Sequence, residues 1–257
     1  MRLRRPAETP PPGSGQTPGS RQTPGSGQTP GSGQTPRGGP ERFPGFDVFA
    51  EQRRWDPATA AVVNGRLGPP PGLRFFSPAE EAVATALLDL LLGQQDPDPR
   101  TVLGARQADQ QRGRPRIPVT AMIDSRLAEA ETDGWRYADM PEDGQAWRDT
   151  LGFLDEDAQA KHGRGFAALP ASDQAGLIQV VQDTGPGDWH GLPASRVWSL
   201  WTRYACTAFY AHPWAWNEMG FPGPAYPRGY KNIGVGKREP FEVPDAQPAS
   251  DPVGEDG

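Results

Sequence analysis

The sequence predicts an all-α protein: a single irregular helical domain of about five helices, with a long C-terminal loop rich in Gly, Pro and aromatic residues and a disordered N-terminal tail. Apolar residues recur at spacings of three and four in several segments, as on one face of an α-helix, and strand-like alternation is absent. Gly and Pro are concentrated outside these segments and make up 18 of the first 40 residues. These observations together predict one helical domain with long irregular segments.

Composition divides the chain into four regions. From Gln16 the hexapeptide QTPGSG repeats, and it offers no large apolar side chain to bury, so a disordered low-complexity tail is predicted over residues 1–42. We expect an extended linker over 43–74, the helical domain over 75–243 and a disordered acidic tail over 244–257.

Charge and apolar content exclude several classes of protein. Beyond residue 42 the chain has 20 Lys and Arg against 30 Asp and Glu, which disfavours nucleic-acid binding. The longest apolar run, residues 86–92, is interrupted by Asp89 and is far shorter than the roughly 20 residues of a bilayer span. Cys206 is the only cysteine, so an intrachain disulfide and a multi-cysteine metal site are excluded.

The first helix has the most clearly specified start. Ser77 can cap it, Pro78 suits its first position, and Glu80 completes a capping box. Its apolar stripe ends near Gly93. We therefore predict a helix between Ser77 and Gly93.

Four further helices are predicted downstream. The second contains Met122, Ile123, Leu127 and Ala130, the third runs from about Glu142 to Lys161, and the fourth is capped by Ser172 and turns Leu177, Ile178 and Val181 inward. The fifth, PASRVWSLWTRYACTAFY, has one fully apolar half with Cys206 at its edge. We expect a common core formed by Val83, Leu87, Leu90, Val197, Trp201 and Tyr204.

The sequence offers little for an autonomous active site. No nucleophile motif accompanies the three histidines. A metal site at His190, His212 and Glu218 is conceivable in space, but neither histidine lies one helical turn from another ligand. The acidic run 155–157 is typical of a solvated helix face. We predict no catalytic, cofactor-binding or metal-binding residue in this chain.

Aromatic residues are concentrated between Trp189 and Tyr230, which hold five of the eight Trp and four of the five Tyr. Six Gly or Pro between Gly220 and Gly229 forbid a regular helix or central strand, so we expect irregular backbone over the segment His212–Lys231. The aromatic side chains either close the core from an irregular loop or form a docking surface, because Trp, Tyr and Arg are typical anchors of protein interfaces. The candidate interface residues are Arg203, Tyr210, His212, Trp214, Trp216, Asn217, Glu218, Tyr226, Arg228, Tyr230 and Lys231.

Residues 192–243, LPASRVWSLWTRYACTAFYAHPWAWNEMGFPGPAYPRGYKNIGVGKREPFEV, closely resemble the C-terminal part of the gluconate 2-dehydrogenase subunit 3 family. FFSPAEEAVATALLDLLLG and PVTAMIDSRLA look like the first helices of the same family. The resemblance implies a cofactor-free helical subunit of a membrane-associated flavin dehydrogenase. Its large partner would be of the glucose-methanol-choline type and bind FAD, and in some systems a cytochrome c subunit takes the electrons.

The resemblance also implies that the small subunit assists assembly and export of the large one. Many members carry a twin-arginine leader, whereas Pro6 and a polar stretch follow Arg4 and Arg5 here. We therefore expect a cytoplasmic location for the chain as written, and an extracytoplasmic, membrane-associated one if it is exported with its partner. Two alternatives stay open: an interaction or scaffold protein that retains the fold, and a metal-dependent enzyme near His190 and His212.

Overall fold

The computed structural model describes residues 43, 46–70, 72–95, 116–131 and 137–243. This part of the chain is mostly helical, with one two-stranded hairpin, which confirms the all-α prediction. The helices are α1 (Pro57–Gly65), α2 (Pro78–Leu92), α3 (Val119–Ala128), α4 (Asp143–His162), α5 (Ala171–Thr184), α6 (Ala194–Ala211) and α7 (Pro213–Met219). Short 3-10 helices cover Val48–Arg54 and Phe166–Ala168, and the hairpin consists of β1 (Asp188–Trp189) and β2 (Leu192–Pro193). The two predicted disordered tails, 1–42 and 244–257, lie outside the described residues.

α2 begins and ends as its sequence predicts. The Ser77 hydroxyl accepts a hydrogen bond from the backbone amide of Glu80, and the Glu80 carboxylate accepts one from the amide of Ser77. Pro78 occupies the first turn, and Gly93 closes the helix in the left-handed conformation. The capping box is confirmed.

A buried carboxylate fixes the chain just before α2. Asp124, on α3, is fully buried and accepts hydrogen bonds from the backbone amides of Arg74, Phe75 and Phe76 at 2.7–2.9 Å. Hydrogen bonds to an ionised acceptor are among the stronger ones in proteins. Asp124 therefore sets the position of α3 relative to the start of α2.

The core is organised around α6, which contacts α2, α3, α4, α5 and α7. Trp201 is fully buried on α6, and its indole N–H donates to the hydroxyl of Thr150 on α4 at 3.0 Å. Trp147 packs edge-on against Tyr204 in the same interior. The predicted common core is confirmed, with Leu90 partly buried at its edge and the remaining members buried: Val83, Leu87, Val197, Trp201 and Tyr204.

Two helix boundaries differ from the prediction. α3 ends at Ala128, and Ala130 lies beyond it with a positive φ of 53°. The predicted Ser172 cap is wrong, because Pro170 occupies the cap position in extended conformation and Ser172 already lies in the first turn of α5. α4 agrees with its predicted span to within one residue at each end.

The hairpin was missed from the sequence. Asp188 pairs with Pro193 and Trp189 pairs with Leu192, and the connecting residues His190 and Gly191 both have positive φ. Such a turn joins two strands in as few as six residues. This length is too short to produce a readable alternation of apolar and polar residues.

The expected linker over 43–74 contains regular structure instead. A 3-10 helix starts after Asp47, and α1 starts after Asp56, whose carboxylate accepts from the amides of Ala58 and Thr59. Val48, Trp55 and Val63 are buried in a second hydrophobic cluster, together with Trp216. The prediction of an extended linker is corrected, because these apolar side chains have a partner far along the chain.

None of the helices within the described ranges is long and apolar enough to cross a membrane.

Candidate functional site

The structure separates the eleven predicted interface residues by exposure. Those buried are His212, Trp216 and Asn217; those partly buried are Arg203, Trp214, Glu218 and Arg228; those exposed are Tyr210, Tyr226, Tyr230 and Lys231. Ten of them belong to one stretch, residues 210–231, while Arg203 lies in the middle of α6.

Trp216 and Asn217 are interior residues of this chain. Trp216 packs edge-on against Trp55, with ring centroids 6.4 Å apart, and its indole N–H donates to the carbonyl of Tyr210 at 2.7 Å. The side-chain oxygen of Asn217 accepts from the backbone amide of Val48 at 2.7 Å. Both residues are about 4% exposed. We therefore correct their assignment to a docking surface, since a partner cannot reach them as the chain is folded.

His212 has a structural role at the start of α7. Its Nδ1 accepts from the backbone amide of Trp214 at 3.3 Å, so the imidazole caps the helix in its neutral form. Burial lowers the pKa of His212 to about 4. The histidine therefore holds the turn between α6 and α7 and is not exposed to a partner.

The segment after Pro213 is irregular only from Gly220 onward. Residues 214–219 lack Gly and Pro, and with a cap at His212 and Pro213 in the first turn they form α7. The prediction of irregular backbone is thus corrected for α7. Beyond it the chain makes turns and extended stretches without a regular element up to residue 243.

Two glycines allow this irregular segment to lie close to the N-terminal residues. A Cβ on Gly223 would come within 2.4 Å of the Trp55 ring, and one on Gly220 would come within 2.9 Å of the Phe43 ring. Any larger residue at either position would force these aromatic rings away. The two glycines permit the second hydrophobic cluster to close over α7.

Phe241 forms the base from which the exposed part of the segment projects. The guanidinium of Arg228 lies 3.7 Å from the centre of the Phe241 ring, and the ring of Tyr230 packs against it at a centroid distance of 5.8 Å. Burial lowers the pKa of Arg228, although the group keeps its charge. The Arg228 guanidinium therefore already has a contact within the chain, while Tyr230 keeps about half of its surface exposed.

Glu239 holds the backbone of the same region. Its carboxylate accepts hydrogen bonds from the backbone amides of Lys231 and Asn232 and, at 3.1 Å, from the Asn232 side chain. The Asn232 amide and the other donors lower the pKa of Glu239. The side chain is buried beneath exposed neighbours. It fixes the path of the chain from Gly229 to Arg238.

Arg203 belongs to a different part of the molecule. Its Nη2 lies 3.5 Å from the carboxylate of Asp143 on α4, and its guanidinium lies 5.1 Å from the centre of the Tyr204 ring. The Tyr204 hydroxyl donates to the same carboxylate at 2.7 Å. Burial lowers the pKa of Arg203 and raises that of Tyr204. These contacts direct the Arg203 side chain toward α4, and its place in a partner interface stays a prediction.

His190 lies at the tip of the hairpin. Its Nε2 is 2.8 Å from one oxygen of Asp157, while the other oxygen accepts from the Trp189 indole at 2.8 Å. The Phe153 ring stacks on the imidazole, with centroids 4.5 Å apart. The prediction of a solvated acidic face is therefore wrong for Asp157, whose carboxylate holds the hairpin against α4.

The two histidines of the metal hypothesis lie at opposite ends of α6. His190 precedes this helix and His212 follows it, and 18 residues of α-helix span about 27 Å. One ion cannot bridge that distance. In the ranges that the structure describes, no group of three or more His, Cys, Asp and Glu is arranged to hold a metal ion.

A surface groove of about 390 Å³ lies between α2, α4 and the second 3-10 helix. Its polar side chains are engaged within the chain: Arg148 donates to Glu80 at 2.7–2.8 Å, and Asp155 accepts from the backbone amide of Phe166 at 2.8 Å. The remaining lining is mostly Ala and Gly. The groove therefore presents mainly apolar surface.

The arrangement that remains for function is a surface at the C-terminal segment. Tyr226 and Tyr230 are exposed there as predicted, beside two further exposed apolar residues, Ile233 and Val235, that sequence reasoning missed. A signal was present in the sequence, since Gly234 and Gly236 flank Val235 and Gly234 follows Ile233, and such glycines disfavour a regular helix or strand that could bury these side chains. Aromatic, aliphatic and basic side chains on one surface can bind another protein.

The comparisons with known proteins give one family. The chain matches the profile of Gluconate 2-dehydrogenase subunit 3 over residues 78–223, more than half of its length. The match runs from the start of α2 through α7 to Gly223. No curated protein and no solved structure gave a significant match.

Proposed function

The chain belongs to the gluconate 2-dehydrogenase subunit 3 family, and we propose on this ground that it is the non-catalytic small subunit of an FAD-dependent dehydrogenase, which it binds and stabilises. The family match is the observation that carries the proposal. In this assignment the FAD and the catalytic residues belong to a large subunit of the glucose-methanol-choline type that oxidises a sugar or sugar acid. A cytochrome c subunit is the proposed electron acceptor.

The surface of the chain supports a role in binding. Tyr226 is about 69% exposed and Tyr230 about 48%. The ring of Tyr230 packs against Phe241, and Gly223, three residues before Tyr226, lies close to the Trp55 ring. Large, rigid aromatic side chains lose little conformational entropy on binding and are frequent anchors of protein interfaces. The large subunit would gain stability by covering them, as any partner that binds only the folded state does.

We also propose that the chain accompanies the large subunit during assembly and export. The test is fractionation of cells that produce both subunits, with the large subunit followed by its flavin fluorescence. Appearance of the flavoprotein outside the cytoplasm only when this chain is present supports the proposal. Equal export without the chain contradicts it.

The main experiment is co-production of this chain, carrying an affinity tag, with the flavoprotein dehydrogenase subunit of its own host. We expect a complex of fixed stoichiometry that contains FAD, and a large subunit that loses flavin faster when the chain is omitted. The chain alone should reduce no artificial electron acceptor with sugars or sugar acids. Recovery of no flavoprotein, or turnover by the chain alone, would overturn the proposal.

A further inference from the structure

We propose that the ten residues from Gly229 to Arg238, here named the docking loop, insert Ile233 and Val235 into an apolar pocket rimmed by carboxylates on the dehydrogenase subunit. This inference rests on the proposed function and goes beyond it, because it names the element that recognises the partner and the chemistry of the surface it recognises.

The first observation is the exposure of apolar side chains. All ten residues of the loop are exposed, and Ile233 and Val235 keep more than four-fifths of their surface in water. Of the eight large hydrophobic residues exposed in the described ranges, four lie within ten consecutive positions: Tyr226, Tyr230, Ile233 and Val235. Exposed apolar side chains concentrated in one short segment favour a site where another molecule binds.

The second observation is that the loop is held in place. The carboxylate of Glu239 accepts from the backbone amides of Lys231 and Asn232, and the Lys237 amide donates to the carbonyl of Gly234 at 3.1 Å. The amide of Glu239 in turn donates to the carboxylate of Glu242 at 2.6 Å. Ile233 and Val235 are thus presented on a fixed backbone, which lowers the entropy lost on binding.

The third observation is charge. From Met219 to Arg238 the chain has four Lys or Arg and no Asp or Glu, although beyond residue 42 acidic residues outnumber basic ones by 30 to 20. Three of these cations, Lys231, Lys237 and Arg238, are exposed on the docking loop beside the apolar pair. A complementary surface is therefore apolar at its centre and acidic at its rim.

The fixed backbone favours a protein pocket over other occupants. A fluid anionic membrane surface would also attract basic and apolar side chains, but it requires no preset loop conformation. The acidic tail of this chain, residues 244–257, and a second copy of the chain are the other candidates, and the test includes each of them.

The test measures the affinity of the full-length chain for the large dehydrogenase subunit recovered with it. Ile233→Ser combined with Val235→Ser should weaken binding about tenfold or more, because these side chains would no longer fill the pocket. Val180→Ser, which alters a half-exposed valine on α5, is the matched control and should change the affinity less than twofold. Thermal midpoints should be unchanged in all variants, since every altered side chain is substantially exposed.

The charge component is tested by Lys237→Glu. This variant should bind several-fold more weakly at low salt, and the difference should shrink as salt rises. A loss that is independent of salt would contradict an acidic rim.

The remaining outcomes separate this inference from the proposed function. If the unaltered chain binds no flavoprotein, the proposed function fails; if it binds one and the Ile233/Val235 variant binds equally well, only the docking loop is overturned. The inference is also overturned if the double substitution instead abolishes binding to vesicles of anionic lipid or dissociates a homodimer, or if its effect disappears once residues 244–257 are removed.

Discussion

The side-chain oxygen of Asn217 accepts a hydrogen bond from the backbone amide of Val48 at 2.7 Å, across 169 residues of sequence. Both residues are buried, so neither group has water as a substitute. This contact attaches the first 3-10 helix to α7 and joins the N-terminal residues to the C-terminal segment that carries the docking loop.

Replacing Asn217 with Ala should lower the free energy of unfolding by about 1–3 kcal/mol, because the Val48 amide would remain buried without a partner. Asn64→Ala, at an exposed position of α1, is the control and should change it by less than about 0.5 kcal/mol. Urea unfolding followed by circular dichroism measures both. Equal effects of the two substitutions would show that the buried hydrogen bond contributes nothing.

Trp216→Ala should lower the free energy of unfolding by about 3–5 kcal/mol, because it removes the ring that packs between Trp55 and Phe221 and leaves a cavity. Tyr226→Ala removes an aromatic ring of the same segment that is about 69% exposed, so its effect should stay near 0.5 kcal/mol. Urea unfolding of the two variants should therefore distinguish an aromatic ring in the interior from one on the surface. A stable Trp216→Ala protein would contradict the interior position assigned to that residue.

His212 should make the protein less stable in mildly acidic solution. The unfolded chain takes up a proton near pH 6.5, whereas burial delays protonation in the folded chain to a pKa of about 4. The contribution of His212 is therefore complete above pH 6.5 and decreases as the pH falls toward 4, by about 2 kcal/mol at pH 5. His212→Asn, which retains an acceptor for the Trp214 amide, should remove this part of the pH dependence in thermal unfolding. An unchanged pH profile would exclude His212 as its source.

Glu239→Ala should release the docking loop without unfolding the domain. Hydrogen exchange at the amides of Lys231 and Asn232 should accelerate at least tenfold, while amides of α6 keep their protection. In the unaltered protein, the lowered pKa of Glu239 means that this protection persists below the usual range of Glu titration and is lost only as the pH falls through the lowered value. Unchanged exchange at both amides in the variant would show that the carboxylate does not hold the loop.

The elements that sequence reasoning predicted well are those whose signals are local. The capping box of Ser77 and Glu80, the stripe on α6 and the closing Gly93 are each specified within a few turns of helix. The family assignment also followed from a continuous stretch of sequence. Such features need no knowledge of distant partners.

The features that were missed depend on contacts between distant residues. Trp55 appears in a Pro-flanked polar context, and only its packing on Trp216 shows why residues 46–65 are ordered. The same contact places Trp216 in the interior of the protein. Composition alone does not predict this, because aromatic residues are frequent both in interiors and at interfaces. No local signal in the sequence reveals the role of Asp124, because the three backbone amides that donate to its carboxylate lie 48–50 residues earlier in the chain.

The close approach of Gly223 to Trp55 also determines which truncated fragments of this protein keep a complete interior. A fragment starting at residue 75, the boundary drawn from the sequence, or at residue 78, where the family match starts, would lack Val48, Trp55 and Val63. The indole of Trp216 and the amide oxygen of Asn217 would then face water, and the segment leading to the docking loop would lose the surface on which it rests. The smallest portion that retains a complete interior therefore begins upstream of Phe46.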